Sequence, residues 1–189
     1  TDVPGRNAFG VIPAFVDQPV YAEGRARFKG EAVAAVVGPA ERMAALDLAG
    51  FPVTWHPEPE ALTPEAAILA ADMHDGRDGN IMCRGFVKQG DAEEAIARSF
   101  VTAEGTFQTG FIEHAYIEPE AGFAAMDGDT LVITACTQAP YMDRDDTAKI
   151  LGLMPDKVRI VPTATGGGFG SKLDLSVQPL IGLVALKTG

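Results

Sequence analysis

The chain has 189 residues, a formal net charge of −11 and 47% hydrophobic residues, which suffices for one good core or two small ones. Nucleic acids and anionic membranes bind basic protein surfaces, and this chain is strongly acidic. Neither is therefore an expected partner. No apolar run could span a bilayer and the first ten residues lack a secretory pattern, so the cytoplasm is the expected compartment.

Cysteine usage restricts the metal centres that the chain could hold by itself. Its two cysteines, Cys83 and Cys136, are too few for a disulfide scaffold, an iron–sulfur cluster or a zinc site held by four cysteines. We interpret both as small buried hydrophobic residues.

The first third of the chain combines short apolar runs with a helical pattern. Residues 28–37 are strand-like at their apolar end, and residues 51–56 are typical of another short strand. Between them, residues 39–48 predict a helix, with a proline near its first turn and a glycine past its end. Residues 57–64 are rich in proline and glutamate and indicate a boundary, after which a short helix is expected at 65–71.

The middle of the chain begins with a polar loop. Residues 72–80 (DMHDGRDGN) are rich in turn residues and indicate an exposed loop rather than a metal site. Asp91 is placed to cap a helix at 92–98. Residues 100–108 alternate well enough to predict a strand.

The last third has the clearest pattern. A β-hairpin is expected from 121–125 and 130–136 across an Asp-Gly-Asp turn. A helix ended by glycine follows at 141–151, then a strand at 157–162 and an apolar helix at 173–187. Together the elements predict an α+β, or mixed α/β, fold.

A glycine-rich stretch, GGGFG at 166–170, separates that last strand from the last helix. Glycine tolerates positive φ and close approach to a ligand, and a turn before a helix start directs amide N–H groups toward an anionic or polar ligand. The stretch is not a Walker loop, because the glycine-lysine pair and the following serine or threonine are out of register. It is not a dinucleotide fingerprint either, because Ser171 stands where the third glycine should be. A tight turn without a ligand is the alternative, but four glycines in five positions favour a cofactor.

Two further polar segments are candidate parts of a site. Gln138 follows an apolar strand, and its amide could hydrogen-bond an oxo group or a pterin edge, although a loop glutamine explains it as well when it is taken alone. Glu113, His114 and Glu118 suggest a metal site, but the HEXXH spacing and a second nearby histidine are missing. We therefore interpret this segment as a polar ladder that holds other residues in place.

Five stretches occur in a characteristic order: GEAVAAV at 30–36, EHAYIEPE at 113–120, TQAP at 137–140, LGLMPDKVRIV at 151–161 and GGGFGSK at 166–172. In this order they resemble the large, molybdenum-binding subunit of the xanthine dehydrogenase/aldehyde oxidase family. The resemblance implies three parts. Part of an α/β hammerhead domain occupies 1–62, a linker 63–80, and the N-terminal part of a molybdopterin-binding domain 81–189.

The resemblance also implies a cofactor and a reaction. A molybdopterin-type molybdenum cofactor would support oxidative hydroxylation of an aldehyde or N-heterocycle, with water as the oxygen source. Gln138 would sit beside the metal's oxo ligand. Phe169 and Gly170 would pack on the cofactor and hydrogen-bond it. By the same resemblance, Gly167 and Gly168 would also belong to the cofactor-binding stretch. The expected partners are the remainder of the large subunit and the domains or subunits that carry [2Fe-2S] clusters and FAD. No catalytic residue and no metal ligand is assigned within this chain.

The chain departs from the family pattern at Leu173. Xanthine-oxidising members have a glutamate there, and leucine cannot make its hydrogen bond to the purine. The family's catalytic glutamate belongs to a later segment, so we expect a fragment that is inactive alone. The alternative is a stand-alone, non-catalytic module that binds a subunit or a small ligand through the glycine loop.

Overall fold

The computed structural model describes residues 2–189, which fold as an α+β chain, as predicted. Their helices and strands are, in order, α1 Ala40–Ala44, α2 Pro64–Leu69, α3 Ala92–Ala97, β1 Gly122–Asp127, β2 Thr130–Ala135, α4 Pro140–Leu151, β3 Val158–Pro162 and α5 Gln178–Thr188. The described residues form two compact units, one made of residues 2–53 with His114–Gly189, the other of Thr54–Glu113. The strands, α1, α4 and α5 belong to the first unit, and α2 and α3 to the second.

The sheet of the first unit has the order β1-β2-β3. Strands β1 and β2 form the predicted antiparallel hairpin, in which Asp127 pairs with Thr130 across a two-residue turn that begins at Gly128, with φ 60°. Strand β3 runs parallel to β2, and α4 is the crossover that a parallel pair requires. The carboxyl end of β2 therefore opens directly into the segment that carries Gln138.

The core lies on one face of β2. Leu131 and Ile133 are completely inaccessible to solvent, and they cluster with Ile150 and Leu151 of α4 and with Leu183 of α5. Each such side chain contributes about 1.5–3 kcal/mol to folding when it is fully buried. The alternation of buried residues along β2 thus fixes two helices against the sheet.

The N-terminal segment is attached to the end of α4. The N–H of Gly5 donates to the carbonyl of Ile150 at 2.9 Å, and that of Arg6 donates to the carbonyl of Lys149 at 3.0 Å. These bonds satisfy carbonyl groups that a helix end leaves free. Gly152 ends the helix as predicted, in the left-handed conformation with φ 65°.

In the second unit, side chains cap both helices. Thr63 accepts from the N–H of Ala66 at the start of α2, and Asp91 accepts from the N–H of Glu94 at the start of α3, as predicted. Asn80 donates to the carbonyl of Ala67 at 2.9 Å, which ties the predicted loop to α2. None of the helices within residues 2–189 is long and apolar enough to cross a membrane.

Several sequence predictions are wrong. No strand forms at 28–37, 51–56 or 100–108. A strand needs a row of partners for its backbone groups. Within residues 2–189 none of these segments pairs with a neighbouring strand, although single backbone bonds form, such as that from the N–H of Ala22 to the carbonyl of Ala32. Phe100, for example, is fully exposed. Cys136 is buried as expected, whereas Cys83 is exposed.

The last helix also begins later than predicted. Helix α5 starts at Gln178, not at residue 173. The carboxylate of Asp174 accepts from the N–H groups of Leu175 and Val11, and such local bonds favour turns over helix. The glycine loop therefore does not lie at a helix N-terminus, and the predicted helix-end site for an anion is absent.

Candidate functional site

Gln138 lies at the carboxyl end of β2, against the glycine loop. Its N–H donates to the carbonyl of Lys172 at 3.0 Å. Its Oε1 accepts from the N–H of Gly170 at 2.9 Å and from the N–H of Lys172 at 3.3 Å. Because backbone N–H groups can only donate, they determine which end of the amide faces the loop.

The other end of the Gln138 amide faces outward. Gln138 is exposed, and its Nε2 donates to no other residue in the described part of the chain. The loop thus occupies the acceptor atom and leaves two N–H bonds available. This arrangement suits a ligand that carries an oxygen or nitrogen acceptor.

Three of the loop glycines are required by the packing of the chain itself. A Cβ on Gly168 would lie 2.4 Å from Oε1 of Gln138, and a Cβ on Gly166 would lie 2.4 Å from Cβ of Glu118. Gly167 has φ 100°, where a side chain would be strained, and it lies against Tyr116. Only Gly170, with φ 95°, has open space beside it. The loop glycines therefore serve mainly to seat the loop on Gln138 and Glu118.

The loop nevertheless presents unused donors. The backbone N–H groups of Gly167, Gly168 and Phe169 donate to no residue among those described, although Gly168 is buried. Backbone N–H groups that have no partner in the chain are available to a ligand or to bound water. Phe169 stands beside these donors with φ 50° and a side chain that is 70% exposed. The loop therefore offers backbone donors next to an apolar ring.

The buried Lys172 forms an ion pair behind the loop with Glu118, which is partly buried. The Nζ of Lys172 donates to the backbone carbonyl of Glu118 at 2.6 Å and to its Oε2 at 3.0 Å, and lies 4.2 Å from the ring centre of Tyr116. The Glu118 carboxylate also accepts from the Thr163 hydroxyl and from the N–H of Gly166. The Thr163 hydrogen bond, then those of Lys172 and Gly166, lower the pKa of Glu118 to about 2.

A second buried network supports the Gln138 segment from behind. The Nε2 of Gln178 donates to the carbonyl of Cys136 at 2.9 Å and to Oδ2 of Asp143 at 3.1 Å. Burial raises the pKa of Asp143 to about 6, against the opposing hydrogen bond from Thr137. Sequence reasoning missed this network, although a glutamine within an otherwise apolar helix was a signal for it.

The predicted polar ladder is only partly formed. Residues 113–118 are not a strand, and Ala115 has φ 54°, so the segment cannot follow the regular two-residue alternation. Glu118 contacts the loop, as its expected holding role requires. Among residues 2–189, no group of three or more His, Cys, Asp or Glu side chains could hold a metal ion.

Together these groups can bind and orient a ligand. The outward amide of Gln138 and the unused N–H groups of Gly167, Gly168 and Phe169 are donors, and the Phe169 ring offers an apolar face. The neighbouring carboxylate, Glu118, is engaged by hydrogen bonds and an ion pair. The site therefore fits a polar or anionic cofactor with a flat, partly apolar body.

Comparisons with known proteins show what the chain is similar to. The molybdopterin cofactor-binding domain family matches residues 73–189. A probable xanthine dehydrogenase subunit of Bacillus subtilis is 38% identical over 189 residues, which is 100% of this chain and 25% of the relative. The nicotinate dehydrogenase large molybdopterin subunit of Eubacterium barkeri is 33% identical over 177 residues, which is 93% of this chain and 41% of the relative.

A solved structure shows the same fold. The aldehyde oxidoreductase from Desulfovibrio gigas superposes with a TM-score of 0.86 at 27% identity, over 100% of this chain and 22% of that one. The chain thus spans between about a fifth and two fifths of the length of these similar proteins.

Proposed function

The chain belongs to the molybdopterin cofactor-binding family of the xanthine dehydrogenases and aldehyde oxidoreductases, and on this premise we propose that it forms part of the large subunit of a molybdenum hydroxylase. The observation that carries the proposal is the outward amide of Gln138 beside the partnerless N–H groups of the glycine loop. This chain would provide one wall of the cofactor pocket.

Each residue of the wall has a distinct part in holding the cofactor. The Nε2 of Gln138 would donate a hydrogen bond to an acceptor on the cofactor, and Phe169 would cover its flat body. The N–H groups of Gly167 and Gly168 would add donors, and Gly170 would leave room for close approach. When bound, the cofactor supplies the redox chemistry by which an aldehyde or N-heterocycle is hydroxylated with oxygen from water. The chain's own residues orient it and hold it in place.

Other parts of the enzyme would complete the reaction. The proposed site contains no free base, because Glu118 is held as an ionised partner of Lys172. We therefore assign proton abstraction, and the [2Fe-2S] and FAD centres that remove electrons, to other segments and subunits in the cytoplasm. The isolated chain would accordingly be inactive.

Leu173 restricts the class of substrate that we propose. It follows Lys172 at the exit of the loop and is 37% exposed, so an apolar side chain stands where a glutamate could hold a purine. The similar proteins are named for xanthine, nicotinate and aldehyde. We propose an aldehyde, or an N-heterocycle that is not held by a carboxylate at this position.

Cofactor content tests the proposal. The complete protein that carries this chain and the isolated 189-residue chain would be made in a host that synthesises molybdopterin, and molybdenum would be measured by elemental analysis. We expect about one equivalent in the complete protein and less than about a tenth in the isolated chain. Gln138→Ala should lower molybdenum retention by up to about tenfold, because it removes one hydrogen bond to the cofactor. Gln89→Ala, at an exposed glutamine, should not.

Two outcomes would contradict the proposal. A complete protein without molybdenum or pterin would favour the stand-alone binding module. Stoichiometric molybdenum in the isolated chain would show that one wall is sufficient, and would rule out the proposed division of the pocket between segments.

A further inference from the structure

We propose that Glu118 and Lys172 are positioning residues, whose ion pair fixes the orientation of the Gln138 amide through the backbone of Lys172. The inference rests on the proposed function, which places that amide on the cofactor. It goes beyond that function by assigning a role to two residues that are not expected to touch the cofactor.

Lys172 links the ion pair to Gln138 directly. Its backbone N–H donates to Oε1 of Gln138 at 3.3 Å, and its carbonyl accepts from the N–H of Gln138 at 3.0 Å. Its side chain is only 2% exposed and ends on Glu118. A buried ammonium group is tolerated only beside its partner, so the position of Glu118 determines where the Lys172 backbone meets Gln138.

Glu118 also holds the beginning of the loop. Its carboxylate accepts from Thr163 and from the N–H of Gly166 at 3.2 Å. The carbonyl of Gly166 in turn accepts from the N–H groups of Ile117 at 2.9 Å and Glu118 at 3.3 Å. A loop with four glycines is otherwise highly flexible. By holding both ends, Glu118 restricts the loop to the conformation that faces Gln138.

A direct role for Lys172 in binding an anionic group is the competing interpretation. The side chain is buried, two contacts of its ammonium group go to Glu118, and the Tyr116 ring covers it at 4.2 Å. The ammonium group is therefore committed to the chain itself. The lysine of the GGGFGSK stretch thus acts on the loop rather than on a ligand.

Hydrogen exchange tests this role without the cofactor. In cofactor-free preparations of the complete protein, peptides that cover the loop and β2 would be followed by mass spectrometry in Glu118→Gln and Lys172→Met variants, which preserve side-chain size. We expect loop exchange at least about tenfold faster than in the wild type, with β2 unchanged, because the hydrogen bonds to Gln138 open locally. Unchanged loop exchange in both variants would overturn the proposal.

A matched control and a milder variant complete the hydrogen-exchange experiment. Lys157→Met removes a lysine from the surface pair with Asp129, in which Lys157 is 41% exposed, and should leave loop exchange unchanged. If the isosteric variants also lose protection in β2, Glu118→Asp decides, because it keeps the charge and shortens the reach. Faster loop exchange with a protected β2 supports positioning, and exchange equal to the wild type refutes it.

A double-mutant cycle tests whether the pair acts through Gln138. The readout is the rate at which molybdenum is lost from the complete protein on dialysis. If Glu118 acts through Gln138, Glu118→Gln and Gln138→Ala each accelerate loss, and the double variant is no faster than Gln138→Ala alone. Additive effects would refute the coupling. If the wild type holds no molybdenum, the proposed function fails, and the exchange experiment still decides whether the pair positions the amide.

Discussion

At the scale of single residues, Gln138 is an exposed side chain whose orientation is set by hydrogen bonds from the glycine loop. In front, the N–H groups of Gly170 and Lys172 fix its Oε1. Behind it, Gln178 joins the carbonyl of Cys136 to the carboxylate of Asp143. The donor that we assign to the cofactor is therefore held from two sides by neighbouring residues.

Asp143 makes the stability of this support depend on pH. Its side chain is buried beside Gln178, and burial, with the nearby charges of Asp146 and Asp174, raises its pKa from 3.8 to about 6. The unfolded chain therefore releases this proton at lower pH than the folded chain, so this group lowers stability as pH rises from about 4 to about 6.

We expect Asp143→Asn to remove that decrease. Between pH 4 and pH 6.5, the free energy of unfolding of the wild type should fall relative to the variant by on the order of 1–3 kcal/mol. Urea unfolding at several pH values would measure it. Asp156→Asn, at an exposed aspartate, should follow the wild type, and a parallel pH profile for Asp143→Asn would contradict the assignment.

At the scale of elements, the sequence predicted those parts whose signals are local. The hairpin of β1 and β2 and the helix α4 carry their turn and end signals in adjacent residues, such as Gly152. The strand predicted at 100–108 failed because its alternation has no partner strand within residues 2–189. Alternation describes two faces of a strand, but a strand forms only where its backbone groups are paired.

The site was predictable to a similar degree. Gln138 and the glycine loop could be named as candidates, because each has an unusual composition or position. Their mutual contact could not be predicted, because the hydrogen bond from Gly170 to Gln138 joins residues 32 positions apart. The Glu118–Lys172 pair spans 54 positions, and no local pattern links such distant residues.

The end of α4 provides a test at this scale. Gly152 has φ 65°, and a side chain there costs roughly 1–2 kcal/mol. We expect Gly152→Ala to lower the free energy of unfolding by that amount in a urea titration. Gly85→Ala, where an added Cβ meets nothing within 4 Å, should stay near the wild type, and equal effects of the two would contradict this account of the helix end.

At the scale of the molecule, many large hydrophobic residues are exposed. Hydrophobic residues that are fully or almost fully exposed include Phe86, Val87, Phe100, Phe107 and Phe111, which lie within residues 54–113. Exposed apolar surface of this kind marks an interaction surface or an aggregation site. It agrees with a chain that contacts further parts of a large subunit.

We therefore expect the isolated chain to self-associate. Sedimentation velocity at increasing concentration should show oligomers, and replacing Phe100 and Phe107 by serine should reduce them. The control variants Leu48→Ser and Leu62→Ser also replace exposed hydrophobic residues, but neither residue is aromatic. They should reduce self-association less than the two phenylalanine substitutions do. A wild-type chain that stays monomeric at high concentration would contradict this expectation.

The turn between β1 and β2 offers a place for a reporter. Gly128 lies at the end of the hairpin opposite to Gln138, about 20 Å away along a six-residue strand. Nothing lies within 4 Å of a Cβ built on it. A short tag inserted after Gly128 would therefore leave the loop and its ion pair untouched. A fluorophore there could follow the assembly of the chain with the rest of an enzyme without obstructing the pocket.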